Sequence, residues 1–186
     1  QESRGLGDVY KRQLLNLSEL VKKTLNTETQ VQSACNSFVD AKGSMFLGRG
    51  SSFPIALEGA LKLKELAYIH AEGYPAGEMK HGPLALIEDG MPVVVIAPRD
   101  NYYNKTISNM QEVIARGAKV LLITNKSTDE VFSENIWQKI EVENTDEDLL
   151  PFLITIPLQK LAYHSALKKG YDIDKPRNLA KSVTVE

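Results

Sequence analysis

Two short apolar runs constrain this chain more than any other feature. They are Pro92-Val93-Val94-Val95-Ile96-Ala97 and Lys119-Val120-Leu121-Leu122-Ile123-Thr124. A strand with one wet face alternates apolar and polar residues. An unbroken β-branched run is buried on both faces, as in a parallel sheet covered above and below by helices. Between the runs, a helical pattern from about Tyr103 to Arg116 stops at Gly117. Ser44-Met45-Phe46-Leu47-Gly48 is a third short apolar run, followed by a helical pattern that Pro54 opens and that continues to about Ile69. Pro at a first helical position, preceded by Ser, is a helix start. Ile136 to Val142 reads as a weaker strand, and Asp148 to Lys169 as a buried helix ending at Gly170, a residue suited to the C′ position. Strands alternating with helices over short connections predict an α/β fold with a parallel sheet. Ligands in such folds sit beyond the carboxyl ends of the strands, where Gly48-Arg49-Gly50-Ser51-Ser52 and the loop after Ala97 fall.

Ahead of this unit, Leu14, Leu15, Leu17, Leu20, Val21 and Leu25 recur at helical spacing, so 13–42 is expected as a helical segment broken near Asn26-Thr27. Residues 1–12 show no period and are expected as a disordered leader or an appended remnant. The core unit is expected over 43–170, with a tail over 171–186.

A chain of 186 residues fits one domain with a substantial core. With 22 basic and 24 acidic side chains it has no broad basic field, which argues against nucleic acid as a partner. Its longest apolar stretch, Leu149 to Leu158, holds two prolines and is too short for a bilayer, which takes about 20 residues. A single cysteine, Cys35, excludes an internal disulfide and fits a reducing cytoplasm.

Within the helix from Pro54, Glu58, Lys62 and Glu65 stand at i, i+4 and i+7 and share one stripe. An exposed ion-pair row is one reading; an enclosed functional cluster is the other. The flanking rows Ala56, Ala60, Leu63, Ala67 and Leu57, Leu61 favour enclosure, with Lys64 facing solvent. His81 lies between Gly77 and the Gly82-Pro83 breaker, on a loop or short turn where an imidazole can serve as acid or base. His70 is expected at a helix end and His164 packed within a helix. Histidines so far apart, with one cysteine, do not spell a metal site, and no cofactor is expected. The Gly48–Ser52 loop suits either a phosphate cradle at a helix N-terminus or an ordinary tight turn. The six-residue dinucleotide fingerprint is absent.

Four motifs in order and spacing, Leu47-Gly48-Arg49-Gly50, Ala56 to Glu65, Gly77 to Leu86 and Pro176 to Glu186, resemble the carboxyl-terminal part of the glucosamine-6-phosphate synthase family, the isomerising glutamine–fructose-6-phosphate aminotransferases. The resemblance covers roughly 14–186 and implies a sugar isomerase (SIS) domain, a flavodoxin-like parallel sheet flanked by helices. It places this chain as the second of two SIS domains with its terminal tail. The family's glutaminase and first SIS domain, which carries most of the sugar-phosphate clamp, are expected outside these residues.

The resemblance further implies that Glu65 moves the proton between C1 and C2 of the sugar, with Lys62 assisting. By the same resemblance, His81 is expected to open the sugar ring from the neighbouring subunit of a homodimer, and Lys181 to form a Schiff base with fructose 6-phosphate. Glu58 gives electrostatic support, and Arg49, Ser51, Ser52 and Ala180 are expected to contact the substrate. Pro176 restricts the start of the tail, and Arg177 anchors it or lends a positive charge to the amine. Two other classes stay open: a non-catalytic sugar-phosphate-binding module, and a dimerisation unit.

Overall fold

The computed structural model describes residues 2–126 and 135–178. The chain opens with helices α1 (Glu2–Leu25), α2 (Glu28–Ala34) and α3 (Asn36–Val39). The break expected at Asn26-Thr27 is present, and α1 runs back to Glu2, so the residues expected as a leader or remnant are helical from Glu2 on.

Strand β1 (Gly43–Gly48) leads into helix α4 (Ser52–Ala67), and strand β2 (His70–Pro75) follows. Two 3₁₀ turns, Ala76–His81 and Pro83–Leu86, connect it to β3 (Pro92–Ile96). The rest alternates: α5 (Tyr103–Ile114), β4 (Lys119–Asn125), β5 (Gln138–Val142) and α6 (Leu150–Lys168). All strand pairs are parallel, in the order β2-β1-β3-β4-β5. Neighbouring strands β1 and β3 leave the sheet toward opposite ends of that order, so the crevice past their carboxyl ends is the topological switch point.

The period of two divides the sheet's side chains between two cores. Phe46, Val94, Ile96, Leu121, Ile123 and Ile140 face α2, α4 and α6. Met45, Leu47, Val93, Val95, Val120 and Leu122 face α5 and the first 3₁₀ turn, where Met79, Met110 and Val113 meet them. Helix α6 ends as its sequence predicts: Gly170 has φ 72°, its N–H donates to the Leu167 carbonyl, and the Tyr171 N–H reaches the Ala166 carbonyl. Strand β2 was not foreseen. His70-Ala71-Glu72-Gly73-Tyr74-Pro75 has neither alternation nor an apolar run, and its place comes from tertiary packing against β1 and α4.

Glycine fixes the joint between β1 and α4. A Cβ on Gly48 would lie 2.2 Å from the Ser52 carbonyl oxygen, and one on Gly73 would lie 3.0 Å from the Leu57 backbone. The helix therefore starts tight against its strand and crosses β2 in direct backbone contact. Gly48→Ala is expected to cost about 1–3 kcal/mol or more, since the obstacle is backbone and cannot turn aside. Urea denaturation checks this; an unchanged midpoint and slope would refute the tight-joint account.

Candidate functional site

Helix α4 carries the charged stripe. The Lys62 Nζ donates to Glu65 Oε2 at 2.7 Å and lies 3.9 Å from Glu58 Oε1. The three side chains are 31%, 26% and 37% exposed for Lys62, Glu65 and Glu58 respectively, so the expected enclosure is corrected to half-burial. The same correction applies to Leu57 and Leu61, which are exposed. The helix is apolar on most sides, and its packing against the sheet and α6 decides which row is covered. The hydrogen bond to Glu65 pushes the Lys62 ammonium above the ordinary lysine range, against the opposing effect of burial. Lys62 is therefore a cation at neutral pH, a donor that orients the carboxylate and not a base.

At the switch point, the β1–α4 loop is occupied by protein groups. Gly50 has φ 56° and lies beneath the Tyr102 ring, which a Cβ would meet at 2.7 Å. The Arg49 guanidinium sits 6.0 Å from the centroid of that ring and against Gly77, whose Cβ would be 3.0 Å from it. Ser52 is buried and Ser51 exposed, and both line a small crevice with Pro98, Asp100, Glu147 and Pro151. Two carboxylates there oppose an anion, so this crevice gives the phosphate-cradle reading no support.

The 3₁₀ turn Ala76–His81 holds His81 at its end, with Gly82 at φ 142° reversing the chain. The imidazole is 75% exposed and 4.0 Å from Glu78 Oε2. No hydrogen bond or ion pair among the described residues joins it to the α4 stripe. His70 is corrected: α4 stops at Ala67 with Tyr68 in the left-handed region, and His70 begins β2, 3.4 Å from Glu72. His164 packs against Glu28, which it shares with Lys160. The Lys160 hydrogen bond, opposed by desolvation, holds the Glu28 carboxyl below its usual range.

The approach to the tail is anchored. The Arg177 N–H donates to the Tyr68 hydroxyl at 2.7 Å, and its guanidinium stacks 4.1 Å over that ring, itself 4.8 Å from the Tyr171 ring. Tyr68 is the residue directly after α4, so this anchor stands at the end of the helix that carries the charged stripe. Sequence reasoning missed Tyr68, whose only signal is an aromatic residue directly after a helix. Ala180 and Lys181 lie outside the described residues.

The sequence profile of the SIS domain matches residues 37–169. The chain belongs to the SIS-domain family. It is 49% identical over 177 residues to the glutamine–fructose-6-phosphate aminotransferase (isomerising) of Bartonella henselae, which spans 95% of this chain and 29% of that protein. Against the enzyme of the same name from Aquifex aeolicus it is 52% identical over 175 residues, 94% of this chain and 29% of the relative. Among solved structures, it resembles the C-terminal domain of glucosamine-fructose-6-phosphate aminotransferase from Francisella tularensis, with TM-score 0.85 and 46% identity over 89% of this chain and 46% of that one. The chain thus spans under a third of the length of the curated relatives it matches. No helix among the described residues is long and apolar enough to cross a membrane.

The raised Lys62 pKa has a defined pH consequence. A group whose pKa rises on folding contributes stability that is complete below the ordinary lysine range and is lost as pH rises through the folded value. Glu65→Gln is expected to bring the Lys62 titration down toward ordinary lysine and to reduce the alkaline loss of stability. An NMR titration of the lysine side chains reads this directly, and an unmoved Lys62 midpoint would remove Glu65 as the cause.

Proposed function

We propose that this chain is the isomerase-bearing segment of an isomerising glutamine–fructose-6-phosphate aminotransferase, acting on fructose 6-phosphate and ammonia to give glucosamine 6-phosphate. The observation that carries the reading is the hydrogen-bonded Lys62–Glu65 pair at the half-open face of α4, in a chain about half identical to enzymes of that name. A carboxylate held by a neighbouring ammonium, one face open to solvent, is equipped to take a proton from carbon next to a carbonyl or imine.

In this reading the Lys181 amine attacks the C2 carbonyl of the open-chain sugar and forms an imine with loss of water. Ammonia displaces the lysine. Glu65 then removes a proton from C1; the C–H electrons form a C1=C2 double bond and the C2=N pair moves onto nitrogen, which takes a proton, and reprotonation at C2 with loss of the C1 hydroxyl proton leaves the amine at C2 and the aldehyde at C1. Lys62 keeps Glu65 aimed throughout, and Glu58 adds negative charge that holds Lys62 in place. His81, exposed and remote from the stripe in contacts, serves ring opening in the site of a partner subunit. Arg49, Ser51, Ser52 and Ala180 are assigned to the substrate side of the same site. Arg49 does so by fixing the loop, and the phosphate is clamped by chain outside this segment. The buried thiol of Cys35 suits work in the cytoplasm.

Borohydride reduction of the full-length protein with fructose 6-phosphate tests the reading. A covalent adduct, absent in Lys181→Arg because guanidinium forms no imine, is the expected result. Reversible binding without an adduct would indicate a sensor, and no binding a scaffold. Glu65→Gln should keep the adduct and lose about 10²–10⁴-fold in turnover.

The composite site has its own signature. Glu65→Gln and His81→Ala chains, each inactive, are expected to recover activity when mixed, because one site of each heterodimer then holds both native groups. Heterodimers that form and stay inactive would place both residues in one chain's site.

A further inference from the structure

A 3₁₀ helix has three residues per turn, so successive side chains project about 120° apart and residues i and i+3 share an edge. The turn Ala76–His81 obeys this strictly. Ala76 and Met79 share the edge that enters the core, both essentially inaccessible to solvent. Gly77 and Lys80 share the second edge: Gly77 lies under the Arg49 guanidinium, and the Lys80 Nζ is 2.9 Å from Glu112 Oε1 on α5. Glu78 and His81 share the third, and both are exposed, 64% and 75%. With two edges fastened to the domain, the third has one direction left.

We propose that Glu112 is a positioning residue, which through Lys80 sets the angle at which His81 is presented. The core edge alone would not do this, because the flexible methionine Met79 tolerates rotation of the turn about its own axis. Lys80 lies next to His81 in sequence and is held on a separate edge, so fixing its ammonium fixes the neighbouring imidazole's direction. The form of Glu112 agrees. Its Oε1 takes Lys80, while its Oε2 is buried with no hydrogen-bond partner among the described residues. A buried, unsatisfied carboxylate oxygen is a liability for folding alone, where an apolar side chain would serve α5 better. The pair is open on the Lys80 side, so it adds little to global stability. What it holds is an orientation.

This inference rests on the assignment of His81 to the sugar site and is tested in the full-length dimeric enzyme. Glu112→Gln is expected to lower kcat roughly 10–100-fold, the scale of a displacement near 1 Å, with KM for fructose 6-phosphate and the melting temperature little changed. The charge-swapped double variant, Lys80→Glu with Glu112→Lys, is expected to recover most of the loss, which a merely structural role would not do. Should Glu112→Gln melt early, Lys80→Gln carries the same test from the exposed partner. Wild-type kcat in these single variants, or no recovery in a folded swap, would overturn the proposal. His81→Ala run alongside separates the two layers. Full turnover there removes the histidine's role itself, whereas loss there with normal Glu112→Gln removes only the positioning.

Discussion

The joint between β1 and α4 is the constraint on which the rest depends. The strand ends in a residue whose missing side chain lets the helix begin within 2.2 Å of where a Cβ would stand. The same helix then lies on β2 through a second absent side chain at Gly73. These two contacts leave α4 almost no freedom to rotate about its axis. Its rotation decides which row is covered and which is wet, so it decides that Lys62 and Glu65 sit at the half-open border. A helix apolar on nearly every side has no intrinsic preference strong enough to do this.

Electrostatics at that border follows from placement. A fully enclosed ammonium–carboxylate pair loses much of its attraction to desolvation, and a fully exposed one is screened by water. Lys62 lies between these limits, close enough to Glu65 for a 2.7 Å hydrogen bond and open enough to stay charged. The departing tail is tied to the end of the same helix, where Tyr68 accepts the conformation that is unfavourable for a non-glycine residue and meets Arg177 and Tyr171. One helix thus organises the stripe and the start of the tail. The turn bearing His81 is held from elsewhere, by Arg49 of the β1–α4 loop against Gly77 and by Glu112 of α5.

How much of this was legible depended on how local each signal is. Val93–Ile96 and Val120–Ile123 announce buried strands because a continuous apolar run has few other uses. Gly170 announces the end of α6 because its backbone conformation is one that other residues resist. The row Glu58, Lys62, Glu65 was legible from helical spacing alone. Its depth was not, because depth depends on the sheet and on Gly73, which lie elsewhere in the chain. Leu57 and Leu61 were misjudged for that reason. The Lys80–Glu112 pair spans 32 positions with no spacing rule to reveal it. The helical character of residues 2–12 was missed because their glycines and scattered charges outweighed continuity with the helix beyond Leu14.

The strand that sequence reasoning failed to find has a use for the composition that hid it. β2 is the sheet's margin, with β1 on one side and, among the described residues, no strand on the other. A margin of unpaired amides invites the strand of another molecule to add on. His70-Ala71-Glu72-Gly73-Tyr74-Pro75 is poorly made for that: it is short, carries a half-exposed carboxylate, and closes with a residue that has no N–H to offer. Strengthening it with β-branched residues would make the strand easy to recognise in the sequence. It would also turn the sheet's free margin into a template for self-association.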